Sequence, residues 1–201
     1  MNEGVFYVIS APSGTGKTTL LKRIMGEFPQ MKFSVSYTTR PPRPGEKERV
    51  DYHFVSHDEF QKMLKAGAFA EWTEVLGDYY GTSRSFLEEC LAGDVDVILD
   101  IDTRGADQIH KRYHDGVFIF ILPPGIGDLR ERLTRRGSES QEMIDLRLGK
   151  ASKEIEKMDT YDYVVINDKI DDAVEKIKAI IIAEKCKRNR VLRQLKDSVS
   201  C

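Results

Sequence analysis

Cysteine is scarce. Cys90, Cys186 and Cys201 are the three in the chain, too few and too scattered for a disulfide framework, and none has the paired spacing of a metal site. The reducing cytoplasm is therefore the expected compartment. Long apolar runs are missing as well. The run over residues 5–9 stops at Ser10, too short for the apolar core of a secretion signal, and nothing approaches the ~18 apolar residues of a membrane span. An excess of one charge is also lacking: 31 Lys plus Arg stand against 33 Asp plus Glu, a formal net charge of −2. No global field recruits nucleic acid or an acidic membrane, so neither is an expected partner and any basic site must be local. There is no internal repeat and no low-complexity tract. What is present is 40% hydrophobic and 32% charged residues in 201, which at this length buries roughly 70% of the unfolded surface in one compact domain.

Residues 5–9 are continuously apolar and rich in β-branched and aromatic types, the texture of a strand buried on both faces of a parallel sheet. The texture recurs over residues 95–101, 117–122 and 163–166. Helical patterns lie between, over 17–28, 103–113, 127–135, a long stretch after Ser138, and from Asp171 onward. Alternating strands and helices predict an α/β fold, a P-loop parallel sheet core with helices on both faces. Residues 34–91 break the rhythm. They hold short strand candidates over 52–55, 70–75 and 79–82 and a helix opening with Ser56 and Glu59, the spacing of a capping box. They read as an insertion with its own small mixed or antiparallel β sheet. Residues 125–158, polar, Arg-rich and helical, read as a lid. The core is then 1–33, 92–124 and 159–201.

The first strand runs into Ser10, Ala11, Pro12, Ser13, Gly14, Thr15, Gly16, Lys17, Thr18, Thr19 and then the apolar helix positions Leu20, Leu21 and Ile24. Gly14 and Gly16 permit positive φ and close backbone approach, so that consecutive N–H groups converge on an anion at the positive end of a helix. Lys17 adds a point charge, and the Thr18 hydroxyl can ligate Mg²⁺. Residues 13–19 are the expected triphosphate cradle. Ala11 stands where the GxxxxGK[ST] pattern has glycine; alanine at positive φ would cost about 1 kcal/mol, so residue 11 is expected at negative φ.

A second anion site is expected over residues 34–45. Arg40 and Arg43, three apart on a proline-stiffened loop among hydroxyls, form a fork suited to a dianionic phosphate, to which Tyr52 and Tyr80 can add hydroxyl donors. The alternative is a solvated basic loop whose prolines end a strand. Asp100 and Asp102 end a buried strand at the sheet edge where ligands bind. Asp100 is then the Mg²⁺-side acid beside Thr18, the alternative for both being a cap on the helix that opens at Thr103.

The stretch SVSYTTRPPRPGE, then DYHFVS, EW, Tyr79, Tyr80 and Gly81, ILDID, and VIND at 165–168, together with the loop APSGTGKTTL and the Arg136–Gly137 step, resembles the guanylate kinase family over about residues 4–182. The resemblance implies ATP-dependent phosphorylation of GMP with Mg²⁺ and with GMP and ATP as small-molecule substrates; dGMP is expected to serve as well, because none of these residues reads the 2′-hydroxyl. By the same resemblance Arg40, Arg43, Tyr52 and Tyr80 grip the GMP phosphate, while Ser36, Glu71, Thr82 and Asp102 read guanine. The chemistry agrees, because a carboxylate accepts both N1–H and N2–H₂ of guanine while a hydroxyl donates to O6. On composition alone Glu71 reads as an exposed charge on a short strand beside Trp72. The resemblance further implies that Arg136 and Arg147 close onto the triphosphate with help from Arg132, that Arg43 bridges from the acceptor side, and that Asn167 and Asp168 touch adenine, where a plain turn is the alternative. Lys17, Arg43, Arg136 and Arg147 are the expected catalytic groups.

The basic tail from Lys185 to Lys196 reads as an extension of the helix begun near Asp171, with cations suited to a helix C-terminus. Two other functions compete: a protein-binding module that has lost catalysis, against which Lys17, Thr18, Arg136 and Arg147 stand, and a kinase of the same fold with another acceptor, against which Glu71, Ser36 and Thr82 stand. The chain is expected to act as a monomer or homodimer.

Overall fold

In a computed structural model, residues 4–135 and 141–199 are described, apart from the side chains at 126, 132, 133, 135, 193, 194 and 196–199. The chain divides into two compact units, Ile9–Pro29 with Val117–Cys201 and Asn2–Val8 with Gln30–Gly116. A five-stranded parallel sheet has the order β2-β7-β1-β8-β9, from β1 (Phe6–Ser10), β2 (Lys32–Ser34), β7 (Val97–Asp100), β8 (Val117–Leu122) and β9 (Tyr163–Ile166). All five residues of β1 are buried, as are the first five of β8, which is why both read as unbroken apolar runs rather than as alternation. In β9 only Val165 is buried; it pairs with β8 on one side and forms a sheet edge on the other.

A four-stranded sheet of order β4-β3-β6-β5 lies wholly between residues 37 and 83, built from β3 (Tyr37–Thr38), β4 (His53–Phe54), β5 (Phe69–Val75) and β6 (Asp78–Ser83). The β3–β4 pair is parallel, and the β3–β6 and β5–β6 pairs are antiparallel. Its apolar side is aromatic. Phe60 of α2 (His57–Lys65) stacks on Phe69 at 4.4 Å and on Tyr79 at 5.4 Å. Gly81 permits this, since a Cβ there would lie 2.8 Å from the Phe69 ring. The capping box at the start of α2 is formed as the sequence predicts, with the Ser56 side chain accepting from Glu59 N–H and the Glu59 carboxylate accepting from Ser56 N–H.

Two strands and a helix escape the sequence pattern. Lys32–Ser34 and Tyr37–Thr38 are three and two residues long, inside what reads as loop, and α3 (Arg84–Ala92) follows β6 with Ser83 as its cap. The remaining helices are α1 (Lys17–Glu27), α4 (Thr103–Arg112), α5 (Ile126–Arg135), α6 (Gln141–Ile155), α7 (Ile170–Lys185) and α8 (Arg188–Val199), with a single 3₁₀ turn at Met158–Thr160. Helices α5 and α6 pack through Leu129, Ile144, Leu148 and Ala151, with an Arg130–Asp145 ion pair at 3.0 Å.

The basic tail does not extend α7. The helix stops at Lys185, and α8 starts afresh at Arg188. The break is organised by Glu184, wholly buried at the end of α7. Its carboxylate accepts from the Tyr163 hydroxyl at 2.6 Å and pairs with Lys187 at 2.7 Å and Arg190 at 3.3 Å. The bond to Glu184, with burial, pushes the Tyr163 phenol up to about 12, so the hydroxyl remains a donor throughout the working pH range. Replacing Glu184 with Ala strands the cations at the start of α8 and leaves the Tyr163 hydroxyl without its acceptor; the expected loss is about 2–4 kcal/mol, read as a lower urea midpoint with an unchanged m-value.

Candidate active site

In the first unit, the loop after β1 is held from within. Gly14 and Gly16 have φ of 91° and 90°, and Gly16 caps α1 in the left-handed region. Ala11 is not among the positive-φ residues, as expected for the non-glycine at that position. Thr15 is fully buried; its hydroxyl donates to the Pro12 carbonyl at 2.6 Å and its N–H to the same oxygen at 3.3 Å. Its side chain is thus an internal strut, whereas Thr18 and Thr19 are exposed and Lys17 is half-buried on the first turn of α1.

Asn167 is nearly buried at 4% exposure, and its side-chain amide donates to the Thr15 carbonyl at 2.7 Å. A Cβ at residue 16 would meet that amide at 3.1 Å. Asn167 therefore braces the glycine turn, a role sequence reasoning missed; Asp168 beside it is exposed. From α6, Arg147 reaches the same loop, its guanidinium 3.4 Å from the Ser13 hydroxyl. Arg136 lies outside the described residues, as does the side chain of Arg132.

In the second unit, the expected acceptor residues fall into two groups. Arg40 is the centre of the first, its side chain only 12% exposed. Its guanidinium donates to both oxygens of Glu46, at 2.8 and 3.0 Å, and to the Pro41 carbonyl at 2.8 Å, and lies 5.4 Å over the Tyr52 ring. Burial pulls the Arg40 guanidinium down, but Glu46 and Tyr80 more than reverse it, and it ends above the usual arginine value. Glu46 also accepts from Arg43 N–H at 2.7 Å. Burial raises the Glu46 carboxyl, yet these bonds leave it below the ordinary carboxylate range. Glu46 was absent from the expected set; its signal was the acid three residues past Arg43 in a proline-glycine turn. Tyr52 packs edge-on to Tyr80 at 6.0 Å. Burial, then the Asp100 charge, push the Tyr52 phenol up to about 12, so it stays a hydroxyl donor.

The second group is built across β5 and β6. Glu71 and Thr82 are cross-strand partners, 2% and 0% exposed, and the Thr82 hydroxyl donates to the Glu71 carboxylate at 2.6 Å. Glu71 is not the exposed charge that composition suggests, because α4 covers it. A Cβ on Gly105 would collide with the Glu71 carboxylate, so this glycine of α4 makes the room. Asp102 caps α4, accepting from Arg104 N–H at 3.0 Å and Gly105 N–H at 2.9 Å. The cap reading of Asp102 thus holds, and its carboxylate stays close enough to act on Glu71. Burial first, then the Asp102 charge, push Glu71 up to about 7 against the opposing pull of Thr82 and Arg112. Ser36 and Asp100 are half-buried, the Ser36 carbonyl accepting from His53 N–H at 2.9 Å.

A buried parallel strand, a turn with two left-handed glycines and a helix that opens on Lys and Thr form a phosphate-loop nucleotide-binding protein. Comparison with known proteins narrows that class. The family model for guanylate kinase matches residues 4–184. The guanylate kinase of Geobacter sulfurreducens is 54% identical over 198 residues, 98% of this chain and 96% of that protein. That of Desulfitobacterium hafniense is 47% identical over 189 residues, 94% of each. A crystal structure of guanylate kinase from Anaplasma phagocytophilum superposes with a TM-score of 0.78 at 36% identity, covering 99% of this chain and 96% of that one. The chain is a member of the guanylate kinase family and an enzyme.

Two outcomes follow from this geometry. Folded Glu71 titrates at about 7 against an ordinary 4.5, so between those pH values the native chain keeps a proton the unfolded chain has lost, and stability falls as pH rises through the window. Glu71→Gln removes a cost on the order of 3 kcal/mol. Calorimetry without nucleotide should find the variant more heat-resistant than the native chain at pH 8 and no better near pH 4.5; a pH-independent difference would refute the assignment. Asn167→Ala, by releasing the Thr15 carbonyl, should weaken ATP binding about fivefold, the equivalent of one hydrogen bond, with GMP binding untouched in isothermal titration.

Proposed function

We propose that this chain transfers the γ-phosphoryl group of ATP to GMP, giving GDP and ADP, and accepts dGMP as well. The observation that carries this reading is the buried Glu71–Thr82 pair: a carboxylate kept out of water and oriented by the Thr82 hydroxyl matches the N1–H and N2–H₂ donors of guanine, with the Ser36 hydroxyl left to donate to O6. Adenine would set an acceptor at N1 against Glu71 and offer no donor at position 2. In this reading Ser36 and Asp102 complete the guanine contacts, and Arg40, Arg43, Tyr52 and Tyr80 hold the GMP phosphate.

On the donor side, residues 13–19 wrap the triphosphate in backbone N–H groups, Lys17 balances its charge, and Arg132, Arg136 and Arg147 close over it, with Asn167 and Asp168 on the adenine side. Thr18 and Asp100 are the proposed magnesium ligands. They are hard oxygen donors, few in number, as suits a cation that keeps water and phosphate oxygens around it; when bound, magnesium neutralises charge on the transferring group. No general base is needed. The GMP phosphate is already an oxyanion nucleophile, so Arg43, Lys17, Arg136 and Arg147 serve to align two polyanions and stabilise the charge that spreads over the equatorial oxygens.

The parts of the chain follow these roles: 34–91 as the GMP-binding insertion, 125–158 as the lid, and 1–33, 92–124 and 159–201 as the core. The separate sheet within 37–83 and the α5–α6 pair support that division. We place the enzyme in the cytoplasm as a monomer or homodimer, in keeping with its sparse cysteine and with the finding that no helix among the described residues is long and apolar enough to cross a membrane.

A coupled assay with ATP and Mg²⁺ across GMP, dGMP, AMP, CMP and UMP tests the reading. GMP should be used best, and AMP turnover equal to or above it would overturn the assignment. Lys17→Ala should cut turnover roughly 10²- to 10³-fold, the scale of one preorganised charge lost, with an unchanged circular dichroism spectrum. Glu71→Gln should lower kcat/KM for GMP roughly 10²-fold or more while leaving the KM for ATP as it was.

A further inference from the structure

Strand β5 is an edge strand, with β6 on one side and, among the described residues, no strand on the other. An edge strand leaves the backbone groups of alternate residues unpaired, and here the outward groups are met by side chains of α4. Arg112 donates to the Ala70 carbonyl at 2.6 Å and to that of Phe69 at 3.2 Å. Gln108 makes a two-way pair with Trp72, its amide donating to the carbonyl at 2.7 Å and its carbonyl accepting from the N–H at 3.3 Å. Arg104 donates to the Glu74 carbonyl. Residues 104, 108 and 112 are four apart on one helix face, and 74, 72 and 70 are two apart along one strand edge. Four helical residues rise about 6 Å and two strand residues about 6.6 Å, so the rows match step for step. In effect α4 supplies a fifth strand, with the Gln108 amide acting as its peptide unit.

The matched rows join two features of the guanine side. Glu71 lies on β5 between two of the gripped positions, and Asp102 is the cap of α4 itself. A slip of one residue along β5 would turn Glu71 to the opposite face, and a slip of two would carry it a full side-chain step away. The two-residue Leu76–Gly77 turn, both residues at positive φ, holds β5 against β6 in the register that pairs Glu71 with Thr82; the α4 row holds the same strand against the helix. We propose that Arg104, Gln108 and Arg112 are positioning residues for guanine selection: they lock β5 to α4 in one register and so set Glu71 against the head of α4, in the gap that Gly105 leaves open. This rests on the guanine-reading role proposed above for Glu71. None of the three needs to touch the nucleotide.

Gln108 is the informative position, since its replacement by Ala or Met changes no charge near Glu71. Steady-state kinetics are run on the native chain, Gln108→Ala and Gln108→Met with GMP, inosine monophosphate (the same ring without the 2-amino group) and AMP as acceptors, and with ATP varied at saturating GMP. Gln108→Ala should raise the KM for GMP about five- to tenfold, the equivalent of one neutral hydrogen-bonded pair, and lower the preference for GMP over inosine monophosphate by a similar factor. The KM for ATP should stay within about twofold. Gln108→Met keeps the side-chain length and adds no charge but can neither accept from the Trp72 N–H nor donate to the Trp72 carbonyl; it should show the same selective loss and carries the test if the alanine variant does not fold. A lowered thermal midpoint with nucleotide preference intact, or KM values for GMP and ATP that rise together, would reduce the row to ordinary structural support and overturn the proposal. A native chain that does not prefer GMP to AMP would sink the function and this inference together, whereas a selective native chain with equally selective variants would sink the inference alone.

Discussion

Keeping a carboxylate out of water is the constraint on which the acceptor side depends. A buried ionised group without partners costs several kcal/mol, and Glu71 has few protein partners: the Thr82 hydroxyl at 2.6 Å, the Thr82 backbone and the field of Arg112, against which Asp102 works. The surrounding architecture serves this one group. Gly105 removes a side chain to admit it, the Asp102 cap fixes the helix it faces, and the aromatic stack of Phe60, Phe69 and Tyr79 stiffens the sheet that carries it. A site held this dry and this short of internal partners is a poor place for a carboxylate unless something else completes its bonding.

The two proposed anion-binding regions are built by different means. The loop after β1 offers backbone N–H groups aimed by left-handed glycines, and its supports, Thr15 and Asn167, are internal and buried. The region around Arg40 uses side chains, and they are already engaged. Glu46 takes one edge of the Arg40 guanidinium and the Arg43 backbone N–H together. A guanidinium so held has little rotamer freedom left to lose to a bound anion, which is how planar donors are made selective for bidentate partners.

Much of this was legible in the sequence where local chemistry decides the outcome. The buried strands β1 and β8, the position of strand β9, the capping box at Ser56, positive φ at Gly14 and Gly16 and its absence at Ala11 all follow from residue type and spacing; the exposure of β9 at the sheet edge does not. What escaped depends on partners distant in sequence. Strand β2 exists because Phe33 pairs with Ile98, 65 residues away; three residues carry no period of their own. The end of α7 is set by a buried carboxylate among Tyr163, Lys187 and Arg190 rather than by a glycine or proline. Glu71 looks like a surface charge until α4 covers it, and Asn167 looks like a turn residue until its amide is seen on the Thr15 carbonyl. Arg136 and the Arg132 side chain fall outside the described residues.

The row of α4 side chains along β5 also bears on how the chain reaches its fold without sticking to its neighbours. Until residues 104–112 coil and dock, the margin of the small sheet is an open template on which another chain could add a strand. Sealing that margin with a helix more than 25 residues downstream ties solubility during synthesis to the arrival of α4, and a chain halted before it would expose a bare, aromatic-backed ribbon.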